Sequence, residues 1–199
     1  MAIVVVGLGN PGGEYTHTRH NAGRMAVEAF QKAYNFPEFT LKKTAQAYVS
    51  EGSLGKEKVV LVLPDVYMNH SGKVMPSFVK SVPAAKKCII VRDELDMPLG
   101  AVKMTVPGRG SGGHKGVESV SRALKTKEFY QVKIGISGAT PKGKLKKPQG
   151  EEKVVKHVIG KFSPKEEPEL KKILKKTREG IALFIEGDAE QALMHINTA

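Results

Sequence analysis

The sequence has little cysteine, no long hydrophobic run and a shortage of acidic side chains. Its single cysteine, Cys88, excludes a disulfide framework and a zinc site built on several cysteines, and it favours a reducing compartment. No apolar run approaches the roughly 18–20 residues of a membrane span. The opening MAIVVVGLG lacks the basic start and cleavage site of a signal peptide. We therefore expect a cytoplasmic protein, with a mitochondrial or other organellar matrix as the alternative.

The shortage of acidic residues leaves a strongly basic chain. There are 32 lysines and arginines against 20 aspartates and glutamates, a formal net charge of +12 over 199 residues. The charge is uneven, since residues 142–176 hold 12 lysines and 5 glutamates. Such a charge favours a polyanionic partner, most simply nucleic acid. The alternative is a solvated surface rich in lysine.

Short β-branched runs alternate with helical patterns along the chain, which predicts an α/β fold. We expect one domain over 1–199, a three-layer α/β/α sandwich around a twisted, mixed and largely parallel sheet. Strands are predicted at 3–8, 47–54, 59–63, 88–91, 101–106 and 131–137. Helices are predicted at 21–34, 74–82, 115–126, from Ser163-Pro164 to Gly187, and at 189–196. The polar stretch 140–152 is predicted to be a loop.

Polar side chains follow several predicted strands, at the edge where open α/β sheets bind ligands. His20 is the best candidate for a general base, and Asp93 for the carboxylate that orients it. Asn10 and Asn69 carry amides that can hold an ester carbonyl, its oxyanion or the attacking water. Each residue also has a plainer explanation as a surface-loop, turn or helix-cap residue. The four together favour an active site.

Other chemistries find weaker support in the sequence. Residues 7–12 match G-x-G-x-x-G, but no helix follows at once and no acidic residue follows at the expected spacing, so a nicotinamide cofactor is disfavoured. The six histidines lack metal-ligand spacing, so we predict no metal and no cofactor. Cys88 lies in a predicted buried strand, and no G-x-S-x-G elbow is present. A water nucleophile is therefore favoured over a covalent intermediate.

Four sequence blocks, in order, resemble those of the bacterial-type peptidyl-tRNA hydrolases. They read G-L-G-N-P-G-x-x-Y-x-x-T-R-H-N-A-G at 7–23, Y-M-N-x-S-G-K at 67–73, D-E-L-D-x-P-L-G at 93–100 and G-S-G-G-H-K-G at 110–116. A later K-I-G-I at 133–136 also resembles a family strand. The resemblance implies a monomeric enzyme that hydrolyses the ester between a peptide, or an N-blocked amino acid, and the 3′ end of tRNA.

The resemblance also implies residue roles. His20 would be the base, Asp93 its orienting carboxylate, and Asn10 the residue that distinguishes blocked from free aminoacyl groups. The channel for the peptidyl-adenosine end would be lined by Tyr15, Tyr67, Met68 and Asn69, with His114 and Lys115 also binding substrate. Lys103 and Lys133 fall where the family grips tRNA phosphate.

The chain departs from the family pattern at Lys115, where an asparagine is usual, at Ser137-Gly138-Ala139 and at Thr105. We expect Lys115 to contact the anionic RNA end or a peptide carbonyl, because a lysine only donates hydrogen bonds. The alternative is a lysine that points into solvent. A second hypothesis for the whole chain is a non-hydrolytic RNA-binding protein, similar to plant organellar splicing cofactors on the same fold.

Overall fold

Eight strands form one mixed sheet between two layers of helices in the computed structural model, which describes residues 1–140 and 144–198. The strands are β1 Ile3–Gly7, β2 Thr40–Lys42, β3 Ala47–Leu54, β4 Glu57–Pro64, β5 Cys88–Pro98, β6 Val102–Thr105, β7 Tyr130–Ala139 and β8 Leu145–Lys146. The α-helices are α1 Ala22–Ala33, α2 Val82–Ala85, α3 Lys115–Leu124, α4 Glu151–Val158, α5 Glu167–Ile185 and α6 Ala189–Asn197. Short 3-10 helices cover Gly13–Tyr15, Arg19–Asn21, Lys43–Ala45 and Met68–Ser77.

The sheet has the order β2-β3-β4-β1-β5-β7-β6, and β8 pairs with β7. The four central strands β4, β1, β5 and β7 run parallel, while the outer strands pair antiparallel. The prediction of a mixed α/β sheet is confirmed. Its parallel part is the centre, where strands buried on both faces need continuous apolar runs.

Alternate residues of β1 feed two separate cores. Ile3 and Val5 face the layer that contains α1, α5 and α6. Val4 and Val6 face the layer built from Met68–Ser77 and α3. This alternation follows from the two-residue period of a strand. In β5 the polar residues Arg92, Asp93 and Glu94 follow the apolar run Cys88–Val91, toward the carboxyl end of the strand.

The elements differ from the prediction in two places. The helix expected at 74–82 is replaced by a 3-10 helix that ends at Ser77 and by α2, which begins at Val82 after the Ser81 cap. Pro76 explains the shift, since it cannot donate the backbone hydrogen bond of an α-helix. The loop expected at 140–152 contains β8 and the start of α4. Residues 141–143 of that stretch lie outside the described residues.

The long helix begins later than the sequence suggests. Ser163 and Pro164 precede α5, and the Glu166 carboxylate accepts hydrogen bonds from the Ser163 backbone N–H at 2.7 Å and hydroxyl at 2.8 Å. Ser163 and Glu166 thus form the glutamate half of a capping box, one turn ahead of the helix itself. Among the described helices, none has the length and apolarity that a bilayer crossing requires.

Candidate active site

His20 and His114 both contact the carboxylate of Asp93 at the carboxyl edge of the sheet. His20 Nδ1 lies 3.0 Å from each Asp93 oxygen, and His114 Nε2 lies 2.9 Å from Oδ1. Asp93 is buried within β5, whereas the two rings come from loops before α1 and α3. Residues 73 positions apart in the sequence are therefore in direct contact. His20 and Asp93 were predicted as a pair. His114, which was expected to bind substrate, contacts Asp93 and also lines the cleft beside it.

Close packing brings His20 to the strand that carries Asp93. A Cβ on Gly23 would lie 2.3 Å from the carbonyl oxygen of Val91 in β5, so only glycine lets α1 approach this closely. Arg19 fixes the other side, with Nη2 donating to both Glu166 oxygens at 2.8 Å. His20 is thus held between β5 and the segment that precedes α5.

The hydrogen bonds of His114 define where its proton lies. Its Nδ1 accepts the backbone N–H of Val117 at 3.3 Å, at the start of α3. A neutral ring then carries its proton on Nε2 and donates it to Asp93. Asp93 can likewise accept from Nδ1–H of His20, which leaves the lone pair on Nε2 of His20. No hydrogen bond within the described chain occupies that Nε2, and His20 lines the cleft.

Among the described residues, His20, Asp93 and His114 are also the group whose ligand atoms lie close enough together to hold a metal ion. One ligand atom of each of His20, Asp93 and His114 lies within 4.8 Å of the others. A metal would have to take the place of the ring protons that face Asp93. The cap bond to Nδ1 of His114 opposes this, because it keeps the proton on Nε2. The arrangement fits an acid–base site better than a metal centre.

Burial and charge set the protonation of the three groups. Burial alone lowers the pKa of His20, but attraction to the Asp93 carboxylate and the hydrogen bond between them raise it above its ordinary value of 6.5. The pKa of His114 falls, because its burial outweighs the attraction of Asp93. Burial alone raises the pKa of Asp93, yet the two histidines hold it well below its usual range. Asp93 is therefore a carboxylate at neutral pH, and His114 is neutral.

Asn10 lies beside the histidine pair in a fixed orientation. Its Oδ1 accepts the backbone N–H of Met68 at 2.8 Å. Asn21 holds its backbone on both sides, accepting from the Asn10 N–H at 2.8 Å and donating to its carbonyl at 3.0 Å. Since Oδ1 already accepts the Met68 N–H, the Nδ2 group of Asn10 is the part that can donate a hydrogen bond to a ligand. Sequence reasoning missed Asn21, although it lies in the motif next to His20.

The other expected contact residues surround a cleft of about 680 Å³. Asn69, Tyr67 and Met68 line it, with Tyr67 and Asn69 exposed and Met68 buried. Tyr15 is not among the described lining residues, but its ring packs edge-on against Tyr67 with centroids 6.5 Å apart. It therefore supports the wall through Tyr67.

The opposite wall of the cleft is apolar and comes from α4 and the residue after it. Its lining residues are Val154, Val155, Val158 and Ile159. The spacing of these residues is helical, although no helix was predicted over them from the sequence. Lys115, 70% exposed, lies at the rim with Nζ 3.7 Å from Glu151 of α4. Lys147 Nζ lies 2.5 Å from Asp96.

The two expected phosphate contacts are direct neighbours across β6 and β7. Lys103 faces Lys133 in the strand register, outside the described lining of the cleft. Lys133 Nζ lies 3.7 Å from Glu94, while Lys103 is exposed. Burial and the nearby Arg92 guanidinium lower the pKa of Lys133. Two lysines side by side form a compact cationic patch next to the cleft.

Both sequence and structure are similar to one known family. The family model described as peptidyl-tRNA hydrolase matches residues 4–199. The peptidyl-tRNA hydrolase of Aquifex aeolicus (strain VF5) is 36% identical, covering 98% of this chain and 95% of the relative. That of Limosilactobacillus reuteri (strain DSM 20016) is 37% identical, covering 96% and 97%. The crystal structure of the Acinetobacter baumannii enzyme matches with a TM-score of 0.87 at 32% identity, covering 99% and 95%.

Proposed function

This chain belongs to the peptidyl-tRNA hydrolase family and hydrolyses peptidyl-tRNA, and we propose that His20 is the general base of that reaction, acting through Nε2. The observation that carries the proposal is the contact of His20 Nδ1 with Asp93 at 3.0 Å, because it leaves Nε2 toward the cleft. A histidine in this tautomer can accept a proton from water near neutral pH. Asp93 stabilises the imidazolium that forms.

The reaction then needs only water, one base and donors for the developing oxyanion. Water attacks the ester carbonyl carbon as His20 Nε2 takes its proton. The tetrahedral intermediate collapses, the ester C–O bond breaks, and the leaving ribose oxygen takes the proton back from His20. The products are a peptide carboxylic acid and tRNA with a free terminal hydroxyl. His114 acts as a positioning residue that fixes the Asp93 carboxylate from its other side.

Asn10 is proposed to select substrates whose amino group is blocked. Its Oδ1 is bound to the Met68 N–H, so toward a ligand it offers Nδ2, a donor. A peptide or acyl carbonyl accepts such a hydrogen bond. A free α-ammonium group has only donors and would meet another donor, which is unfavourable when the site is desolvated. The same donor, or Asn69 at the rim, can stabilise the oxyanion.

The remaining site residues are proposed to hold the two ends of the substrate. Tyr67 and Met68, with Tyr15 behind Tyr67, form the surface for the terminal adenosine and the first amino acid. Lys103 and Lys133 contact tRNA phosphate, and the net charge of +12 adds sequence-independent attraction. Lys115 at the rim pairs with Glu151, so its contact with the peptide end is proposed to be weak.

We propose further that residues 1–199 act as one domain and as a monomer in the cytoplasm, without a metal or cofactor. The acid–base arrangement of His20, Asp93 and His114 supports the last point, because the ring protons occupy the atoms that a metal would use. The rate should therefore be unchanged after dialysis against a chelator.

Turnover of N-acetyl-aminoacyl-tRNA tests the proposed mechanism. The protein should release the acetylated amino acid from this substrate and leave the matched unblocked aminoacyl-tRNA largely intact. In ¹⁸O-labelled water the label should appear in the released carboxylate and not in the tRNA. Protein recovered from an acid-quenched reaction should carry no covalently bound acyl group. Equal turnover of the two substrates would refute the role given to Asn10, and a covalently acylated protein would refute direct attack by water.

A further inference from the structure

Two buried side chains hold the carbonyl groups of the glycine-rich loop 109–113. Gln131 of β7 is fully buried, and its Nε2 donates to the carbonyls of Arg109 and Gly110 at 3.2 Å each. Arg92 of β5 is 1% exposed, and its Nη2 donates to the carbonyl of Ser111 at 3.2 Å. The two donors therefore hold three consecutive carbonyls against the edge of the sheet.

Arg92 also joins this loop to the strand that carries Asp93. Its Nη1 donates to the backbone carbonyl of Asp93 at 2.8 Å. Nη1 lies 2.9 Å from Glu94 Oε2, which balances the buried charge. A buried ion pair contributes little to stability compared with apolar residues of the same size, because desolvation offsets most of the attraction. Stability alone is thus a weak reason for a guanidinium at this position.

Beyond these carbonyls the loop is held mainly through Ser111, whose Oγ accepts the Gly113 N–H at 3.1 Å and donates to Glu118 at 3.2 Å. Gly112 and Gly113 have positive φ angles of 62° and 81°, and both residues are exposed. A Cβ on Gly113 would meet no atom within 4 Å, so nothing packs against that side of the loop. The Ser111 carbonyl that Arg92 holds also accepts the backbone N–H of His114 at 3.3 Å. The anchored carbonyl is thus bonded to the residue that contacts Asp93.

We propose that Arg92 and Gln131 are positioning residues for catalysis, which fix the glycine loop so that His114 stays bonded to Asp93. The proposal rests on the function proposed for His20 and Asp93. A looser loop would let His114 leave the Asp93 carboxylate, and the carboxylate would then orient His20 less well. Small losses of alignment around a base cost rate rather than substrate binding.

Conservative variants test this role. Arg92→Lys keeps a cation beside Glu94 but lacks the planar fork that reaches two carbonyls at once. Gln131→Met keeps the side-chain length and removes the donor. Each should lower kcat by about fivefold or more with KM within about twofold. Arg122→Lys, an exposed arginine on α3, is the matched control and should leave both constants unchanged.

A second background separates positioning from general structural damage. In a His114→Phe protein the contact with Asp93 is already lost, so Arg92→Lys should lower kcat by less than about twofold further. The proposal would be overturned if Arg92→Lys and Gln131→Met both kept the wild-type kcat. It would also be overturned if Arg92→Lys lowered kcat as much in the His114→Phe protein as in the wild-type protein. A rise in KM alone would also overturn it, since the loop would then serve substrate binding. If Arg92→Lys fails to fold, the same comparison is made with Gln131→Met in the wild-type and His114→Phe proteins.

These outcomes are distinct from a failure of the proposed function. If His20→Ala kept its activity, the mechanism itself would be wrong whatever the loop variants did. If His20→Ala is inactive and the loop variants behave like wild type, the mechanism stands and only the positioning role is lost.

Discussion

The two walls of the cleft are built in opposite ways. One wall is the edge of the sheet, where Asp93 and Asn10 are buried and each is held by more than one hydrogen bond. The other is α4, whose Val155 and its neighbour Ile159 are 47% and 45% exposed. Across the described residues, α4 and the stretch before it are joined to the facing rim by two exposed ion pairs, Lys115–Glu151 and Lys147–Asp96.

We propose that this difference matches two roles, bond breaking at the edge of the sheet and contact with the peptide at α4. Bond breaking is the same for every substrate, so the groups that perform it benefit from a fixed arrangement. Peptide chains differ in their side chains, and an apolar wall can accept many of them. Exposed ion pairs are typically worth about 0–1 kcal/mol each, so they add little to the contacts that hold α4, the hydrogen bond of His157 Nε2 with the Ile136 carbonyl at 2.9 Å and the buried Val158. Variants of the sheet edge should therefore change the activity much more than variants of the α4 wall.

The largest effect is expected at His20. His20→Ala removes the base and should lower kcat by about 10²–10⁴-fold, the usual contribution of a positioned general base. Binding of N-acetyl-aminoacyl-tRNA should change by only a few-fold, because other residues grip the RNA. Turnover and equilibrium binding measured on the same preparation check this. A variant that kept more than about a tenth of the wild-type rate would refute His20 as the base.

Asp93→Asn should have the next largest effect. An amide cannot stabilise the imidazolium, and its NH₂ group can donate to His20 Nδ1 and so leave the ring proton on Nε2. We expect kcat to fall by at least about tenfold. The melting temperature should shift by less than about 5 °C, since the amide keeps the shape of the buried carboxylate. A much larger drop in melting temperature would indicate a structural role instead.

A smaller effect is expected for tRNA binding at the lysine pair. Plots of log K against log salt concentration should have a slope of about −0.7 to −0.9 per phosphate contact. Lys103→Met should reduce that slope by about one contact and leave kcat at saturating substrate unchanged. Lys42→Met is the control, because Lys42 lies on β2 at the opposite edge of the sheet. Equal slopes for the two variants would show that Lys103 is only a solvated cation.

The smallest effect is expected at the α4 wall. Lys115 pairs with Glu151, both exposed, so Lys115→Asn and Glu151→Gln should each change KM by no more than about threefold and leave kcat unchanged. The double variant should resemble either single variant, as expected for partners in one ion pair. If Lys115→Asn raised KM while Glu151→Gln lowered it, the lysine would be a direct substrate contact, as the sequence suggested.

The sequence predicted the central architecture because its signals there are local. The runs in β1, β4 and β5 are long enough to identify buried strands, and the four motif blocks identified the family, which the comparisons confirm. The rule that strand ends meet at one edge made His20 and Asp93 candidates at the same edge, but only the structure shows that they touch. Periodicity gave α1, α3, α5 and α6 to within a few residues, apart from the start of α5.

The sequence failed where the structure depends on distant contacts. The contact of His114 with Asp93 depends on the bend of loop 109–113, which buried side chains of β5 and β7 hold in place. No spacing in the sequence reports such a contact. α4 was not predicted, although its valines have helical spacing, because Val154, Val155 and Val158 are its only apolar residues. Pro76 and Ser81 together moved the helix expected at 74–82.

The pH dependence of single-turnover hydrolysis tests the central claim most directly. Only neutral His20 accepts a proton, so the rate should fall as the pH drops through the His20 pKa. Because Asp93 raises that pKa, the midpoint should lie above 6.5 in the wild-type protein. In Asp93→Asn the attraction of the carboxylate is lost, and burial alone then lowers the pKa of His20. The midpoint of the pH profile should therefore move to lower pH, and the maximal rate should fall. A wild-type midpoint below 6.5, or one that Asp93→Asn leaves in place, would contradict a His20 base oriented by Asp93.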